Sequence, residues 1–139
     1  MQYRSLFLAS MAALLVILGV SSCRKTITVG SKPIISLVAG TDYIMGDSTL
    51  IQDKKYMFKV NAKNAEDKSK NTTFEVVRTY SGTADTTVYY QDLKGEEQLD
   101  FNYLHTFTTL KKMGTERFTL TVKNEHGIVN QKILIFTVK

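Results

Sequence analysis

The stretch "ERFTLTVKNEHGIVNQKILIFTVK", Glu116 to Lys139, alternates in steps of two. Phe118, Leu120 and Val122 fall on one face, with Arg117, Thr119, Thr121 and Lys123 on the other. A period of two is that of a strand buried on one side and wet on the other. The polar run Asn124 to Gly127 then makes a tight connection, and Gly127 at its end can take the positive φ that a hairpin bulge requires. A second long strand follows, with Leu134, Phe136 and Val138 in the same parity.

The same grammar repeats upstream. In "KKYMFKVNA", Tyr56, Phe58, Val60 and Ala62 share a face opposite Lys55, Met57, Lys59 and Asn61. "TFEVVRTY" and "TTVYYQD" flank the turn "SGTAD" and read as a hairpin, and "FNYLHTFTTL" sets Phe101, Tyr103, His105 and Phe107 on one face. "KPIISLV" opens the series, with Pro33 where no ladder hydrogen bond is lost. Short alternating runs separated by turn residues, with no helix-period stretch after the N-terminal segment, predict an all-β fold. The expected architecture is an immunoglobulin-like antiparallel β-sandwich of six to eight strands over residues 33–139, with two sheets about 10 Å apart.

The closing stretch from Gly114 resembles the last two strands of immunoglobulin-like modules of the polycystic-kidney-disease and cadherin-like type. Those end in an alternating aromatic and aliphatic strand, a polar turn and a second alternating strand. The chain departs from them in lacking Trp and any aspartate-rich calcium motif. The resemblance implies a module that binds, spaces or presents, with no catalytic residues and no cofactor; fold analogy supplies no ligand.

The N-terminal residues carry a separate message. "MQYRSLFLASMAALLVILGVSSC" has one early charge, Arg4, an apolar run from Leu6 to Val20, and then small residues, which is the order of a secretory signal. The run is short for a span, which takes about 20 apolar residues, and an uncleaved anchor is the alternative. Val20, Ser21, Ser22 and Cys23 resemble a bacterial lipobox. The resemblance implies a diacylglyceryl thioether on Cys23 and cleavage after Ser22. A thiol suits the alkyl transfer because it is the strongest nucleophile among the side chains. Cys23 is also the single cysteine, so no intramolecular disulfide can form. The chain thus divides into a lipoprotein signal peptide, 1–22, a lipidated Cys and tether, 23–32, and the sandwich, 33–139. Its layout resembles small lipoproteins of Bacteroidetes that carry one such domain behind a lipobox.

Without the signal the chain holds 17 Lys and Arg against 13 Asp and Glu, a net of about +4. That mild excess suits anionic head groups near Arg24 and Lys25, and an exported lipoprotein has no occasion to meet nucleic acid. Surface export in the lipoproteins it resembles goes with acidic residues just after the acylated Cys. Their absence here favours the periplasmic face of the outer membrane over the cell surface.

Candidate chemistry is sparse. His105 lies between Tyr103 and Phe107 on an aromatic face and reads as a buried, hydrogen-bonded side chain, whereas His126 reads as an exposed turn residue. No nucleophile, base and orienting group stand out together, and the histidines lack zinc-ligand spacing, so neither an enzyme nor a metal site is expected. Acidic residues in two loop regions, Asp42, Asp47 and Asp53 and again Glu96, Glu97 and Asp100, read as solvated turns, with calcium binding as the alternative. Asn71 begins an Asn-Thr-Thr sequon that a bacterial-type signal makes uninformative. Tyr80, Tyr89 and Tyr90 are the candidate ligand-binding residues, expected near one another around the "SGTAD" turn, with a hairpin-stabilising aromatic pair as the competing reading. The expected function is a lipid-anchored, non-enzymatic envelope protein that binds or scaffolds another component. A surface glycan-binding accessory is the second reading.

Overall fold

The computed structural model describes residues 30–139; the signal segment, the lipobox and Cys23 lie outside the described residues. Eight strands form two sheets. Strands β1 (Ile34–Leu37), β3 (Lys55–Lys63) and β6 (Asp100–Thr108) make the smaller, in the order β1-β3-β6. Strands β2 (Ser48–Leu50), β4 (Asn71–Tyr80), β5 (Thr86–Asp92), β7 (Gly114–Asn124) and β8 (Val129–Val138) make the larger, in the order β2-β8-β7-β4-β5. The chain is an all-β, immunoglobulin-like sandwich.

Parity built these strands. Phe58, Val60 and Ala62 of β3 are fully buried and face Phe118, Leu120 and Val122 of β7, also fully buried. In place of the disulfide and Trp that pin many such sandwiches, aromatic rings bridge the layers. Phe58 meets Phe118 edge-on at 5.5 Å, Phe74 meets Phe101 at 5.2 Å, and Phe107 stacks on Phe136 at 5.5 Å. Each such pair is worth about 0.5–1.5 kcal/mol beyond the area it buries. Asn124 to Gly127 forms the expected tight turn: Gly127 has φ +78° and its N–H donates to the Asn124 carbonyl.

Three features go beyond the alternating strands that the sequence predicts. β2 runs parallel to β8, pairing Ser48 with Phe136 and Leu50 with Val138. Three residues show no period in the sequence; the strand exists because Leu50 buries its side chain and its carbonyl accepts the Lys139 N–H, while the Gln52 N–H donates to the Lys139 carbonyl. A short 3-10 helix, Gly95–Gln98, carries the chain from β5 to β6. The register of β5 on β4 also shifts between Val76 and Val77, leaving Val88 as an extra residue in a bulge.

Candidate functional site

The strand directions give the sandwich two distinct ends. At the proximal end the tether arrives. The Ser31 N–H donates to Asp67 Oδ2 at 2.8 Å, Asn124 Nδ2 to the Ser31 carbonyl at 3.2 Å, and Asn130 Nδ2 to the Pro33 carbonyl at 2.7 Å. Asn124 Oδ1 also accepts the N–H groups of His126 and Ile128, so one side chain closes the β7–β8 turn and holds the incoming chain. Hydrogen bonds from Ser69 and Ser31 hold the Asp67 carboxyl at about 2, well below its ordinary value.

The distal end comprises the β4–β5 hairpin around Gly82, the loop Thr109–Met113 and the C-terminal residue. Beneath it, Arg78 turns inward from β4. Its guanidinium donates twice to Glu116 Oε2 and once to the Thr108 carbonyl at 2.8 Å, and it lies 5.4 Å from the Phe118 ring centre. Glu116 is fully buried, and its other oxygen accepts the Leu110 N–H at 2.8 Å. This cluster ties the two sheets and the loop together. Neither residue stands out in the sequence, although both sit in inward parity, Arg78 after Phe74 and Val76 and Glu116 before Phe118.

Above the pair, Tyr80 donates its hydroxyl to the Met113 carbonyl at 2.7 Å. A Cβ at position 114 would stand 2.7 Å from that hydroxyl, so Gly114 is what allows the ring to lie against the loop. Three shallow hollows share Tyr80 and Thr83, and the largest, about 490 Å³, is lined by Ser81, Leu110, Lys111 and Lys112 as well. Met113 is 71% exposed at the rim, and Lys111 stands 3.5 Å from Asp53 in a solvent-exposed pair.

The three candidate tyrosines do not share a surface. Val76 pairs with Tyr89, so Tyr80 lies four residues further along β4, about 13 Å away. Tyr89 points inward and stacks on Tyr103 across the sheets at 4.1 Å, and its hydroxyl donates to Gln91. Tyr90 points outward, 57% exposed, and donates to Asp92 at 3.0 Å. Burial, with Tyr89 alongside, pushes the Tyr103 phenol up to about 12.

His105 is buried among Phe58, Phe107 and Phe118 and bonded through Nδ1 to the Tyr103 hydroxyl at 2.9 Å. Burial, assisted by Arg78, holds its pKa down to about 4, so the ring is neutral at pH 7. His126 is exposed in its turn. The acidic residues are dispersed into local roles: Asp47 accepts the Ile135 N–H, Asp100 accepts from Asn61, and Glu97 accepts from Gln91. Among the described residues no three His, Cys, Asp or Glu side chains gather where they could hold a metal ion. Asn71, the sequon residue, is fully buried.

No protein-family model matches this chain, and no curated protein matches it in sequence. Solved structures share the fold. The superoxide reductase (neelaredoxin) of Ignicoccus hospitalis superposes with a TM-score of 0.51 at 12% identity, covering 78% of this chain and 80% of that one. A variant of the same reductase gives 0.52 at 11%, covering 78% and 81%. Murine CRIg gives 0.43 at 11% identity, covering 77% of this chain and 98% of that one. At these identities the likeness concerns the sandwich alone.

Proposed function

We propose that this protein is a non-enzymatic, lipid-anchored component of the bacterial cell envelope that binds or scaffolds another envelope component with the end of its sandwich away from the tether. The observation that supports this reading is the polarity of the domain. The end where the tether arrives is closed by side-chain amides, while the far end carries the hollows around Tyr80, the exposed Met113 and two adjacent lysines. Signal peptide, lipobox and Cys23 supply the anchor in this reading, and the tether, free of acidic residues, points it to the periplasmic face of the outer membrane.

The test has two arms. Cys23→Ala is expected to move the protein from the membrane fraction to the soluble or unprocessed one; unchanged mass and fractionation would remove the anchor. A photo-crosslinking residue at Met113 is expected to capture one envelope component in intact cells, with the same residue at His126 as the proximal control. Equal capture from both positions would remove the distal assignment. Glycan binding is the second reading, favoured by the Tyr80 ring bordering hollows that also present the hydroxyls of Ser81 and Thr83. It expects loss of sugar affinity in Tyr80→Ala.

A further inference from the structure

The two sheets do not match in width. In the smaller sheet, β3 lies over β7, with Phe58 on Phe118, and β6 lies over β4, with Phe101 and Tyr103 on Phe74. β5 extends past them, and no strand of the described residues stands above its inner face. The Tyr103 ring leans out to reach Tyr89, and Glu97 of the 3-10 helix accepts from Gln91. At its distal end this gap runs into the hollow of about 290 Å³ that Arg78, Thr86, Val88 and Leu110 share with Tyr80, Thr83 and Ala84 of the β4–β5 hairpin.

Beside it runs the free edge of β6, the last strand of its sheet. The Thr109 N–H bonds to the Lys54 carbonyl of the neighbouring chain segment, whereas the Thr108 carbonyl turns the other way and is taken by Arg78. Alternation along an antiparallel edge then directs the backbone groups of Phe107, His105 and Tyr103 to β3 and those of Thr106, Leu104 and Asn102 to the open side. Natural edges are blunted by Lys, Pro, bulges or brevity. β6 is protected only at its ends, by Arg78 on the Thr108 carbonyl and by the 3-10 helix before Asp100; between them it holds regular pairs with β3, no Lys, Arg or Pro, and an outward Leu104 that is 48% exposed.

We infer that this side accepts one extended strand of a partner polypeptide, basic and alternately apolar, which pairs with β6 and lies over the inner face of β5. The width of the gap sets the single strand. A second copy presenting its own β6 would bring its β4 into the space that β5 already fills, so a whole sandwich cannot enter. Period two sets the alternation, because every other side chain of the added strand would face Val88, Tyr89 and Tyr103. Charge sets the sign. Glu96 and Glu97 stand in the 3-10 helix that joins β5 to β6, with Lys94 beside them, while Asp100 is already 3.9 Å from Lys63 and Asp92 accepts from the outward Tyr90, in a chain of net +5. The inference goes beyond the proposed function, since it concerns the flank and stands whether or not Cys23 is acylated.

Hydrogen exchange on the full chain in detergent micelles tests it, with a synthetic peptide alternating Val with Lys and Thr as the probe. In the free protein the Asn102, Leu104 and Thr106 amides are expected to exchange rapidly, and saturating peptide is expected to slow them about tenfold or more. A peptide with Glu in place of Lys is expected to bind at least about threefold more weakly, and Glu96→Lys is expected to reduce the difference. Val88→Lys, which fills the gap from its floor, is expected to abolish protection without unfolding the chain. Binding that protects the Thr109–Met113 loop instead, or leaves the three amides fast, would overturn the inference. So would protection that rises with protein concentration in the absence of peptide, which would assign the edge to a second copy.

Discussion

At the proximal end the side-chain amides of Asn124 and Asn130 hold the Ser31 and Pro33 carbonyls and the exposed Asp67 carboxylate accepts the Ser31 N–H, so each bond can be lost without stranding a buried charge. At the distal end a buried carboxylate and a guanidinium do the closing, and the surface above them is hollow. The two ends of one small sandwich are thus closed by different chemistry. The proximal end is worth about 1 kcal/mol per bond and fails gradually. The ionic end is all or nothing, because removing one partner leaves the other uncompensated in a low dielectric.

The distal end is where a single change should cost most. Arg78→Met leaves Glu116 charged and fully buried, with only the Leu110 N–H to answer it, and is expected to cost about 3–5 kcal/mol in denaturant unfolding. The double replacement Arg78→Met with Glu116→Leu is expected to recover most of that loss. A double variant as unstable as the single one would show that the pair holds the sheets for another reason.

Acid probes the same region. His105 is held at about 4 against an ordinary 6.5, so the unfolded chain binds its proton first as pH falls. Its contribution is present above about pH 6.5 and is lost as pH falls toward 4, on the order of 3 kcal/mol. The groups facing it are Tyr103, which bonds it, and Arg78, which repels its charged form. His105→Phe should flatten the stability slope between pH 4 and 6.5; an unchanged slope would assign it to the carboxylates.

At the proximal end Asn124→Ala is expected to cost about 1–2 kcal/mol and to speed amide exchange at His126 and Ile128, with no change in the distal loop. Spread of faster exchange to Thr109–Met113 would join two ends that the hydrogen bonds keep apart. Lys112→Glu on the distal rim should matter least to the fold, staying within about 0.5 kcal/mol in stability. Against that quiet background, partner capture at Met113 should fall.

Much of this was legible in the chain. Inward parity named Phe58, Val60, Phe118, Leu120 and Phe136 as core before any of their contacts was known, because a strand half in oil and half in water must alternate. The same rule placed His105 in the core, where its burial and its bond to Tyr103 are found. It was less informative about tyrosines. Adjacency at Tyr89 and Tyr90 forces one ring inward, but which one depends on the register with β4 and on the bulge at Val88, and neither leaves a mark in composition. Tyr80 was legible as a turn-flanking aromatic; its hold on Met113 across the distal end depends on a loop some thirty residues away.

Local period, backbone freedom and a short N-terminal code were enough to set the strands, the sidedness of each long one, the turn at Gly127 and the expectation of an anchored module. Which strands are neighbours came from the folded chain alone. From that came the parallel β2, the Arg78–Glu116 pair joining residues 38 apart, the separation of Tyr80 from Tyr89, and a β5 with no strand above it beside the free edge of β6. The physical reason is that alternation tells a side chain whether it faces inward, while what it meets there is set by pairing between segments distant in the chain.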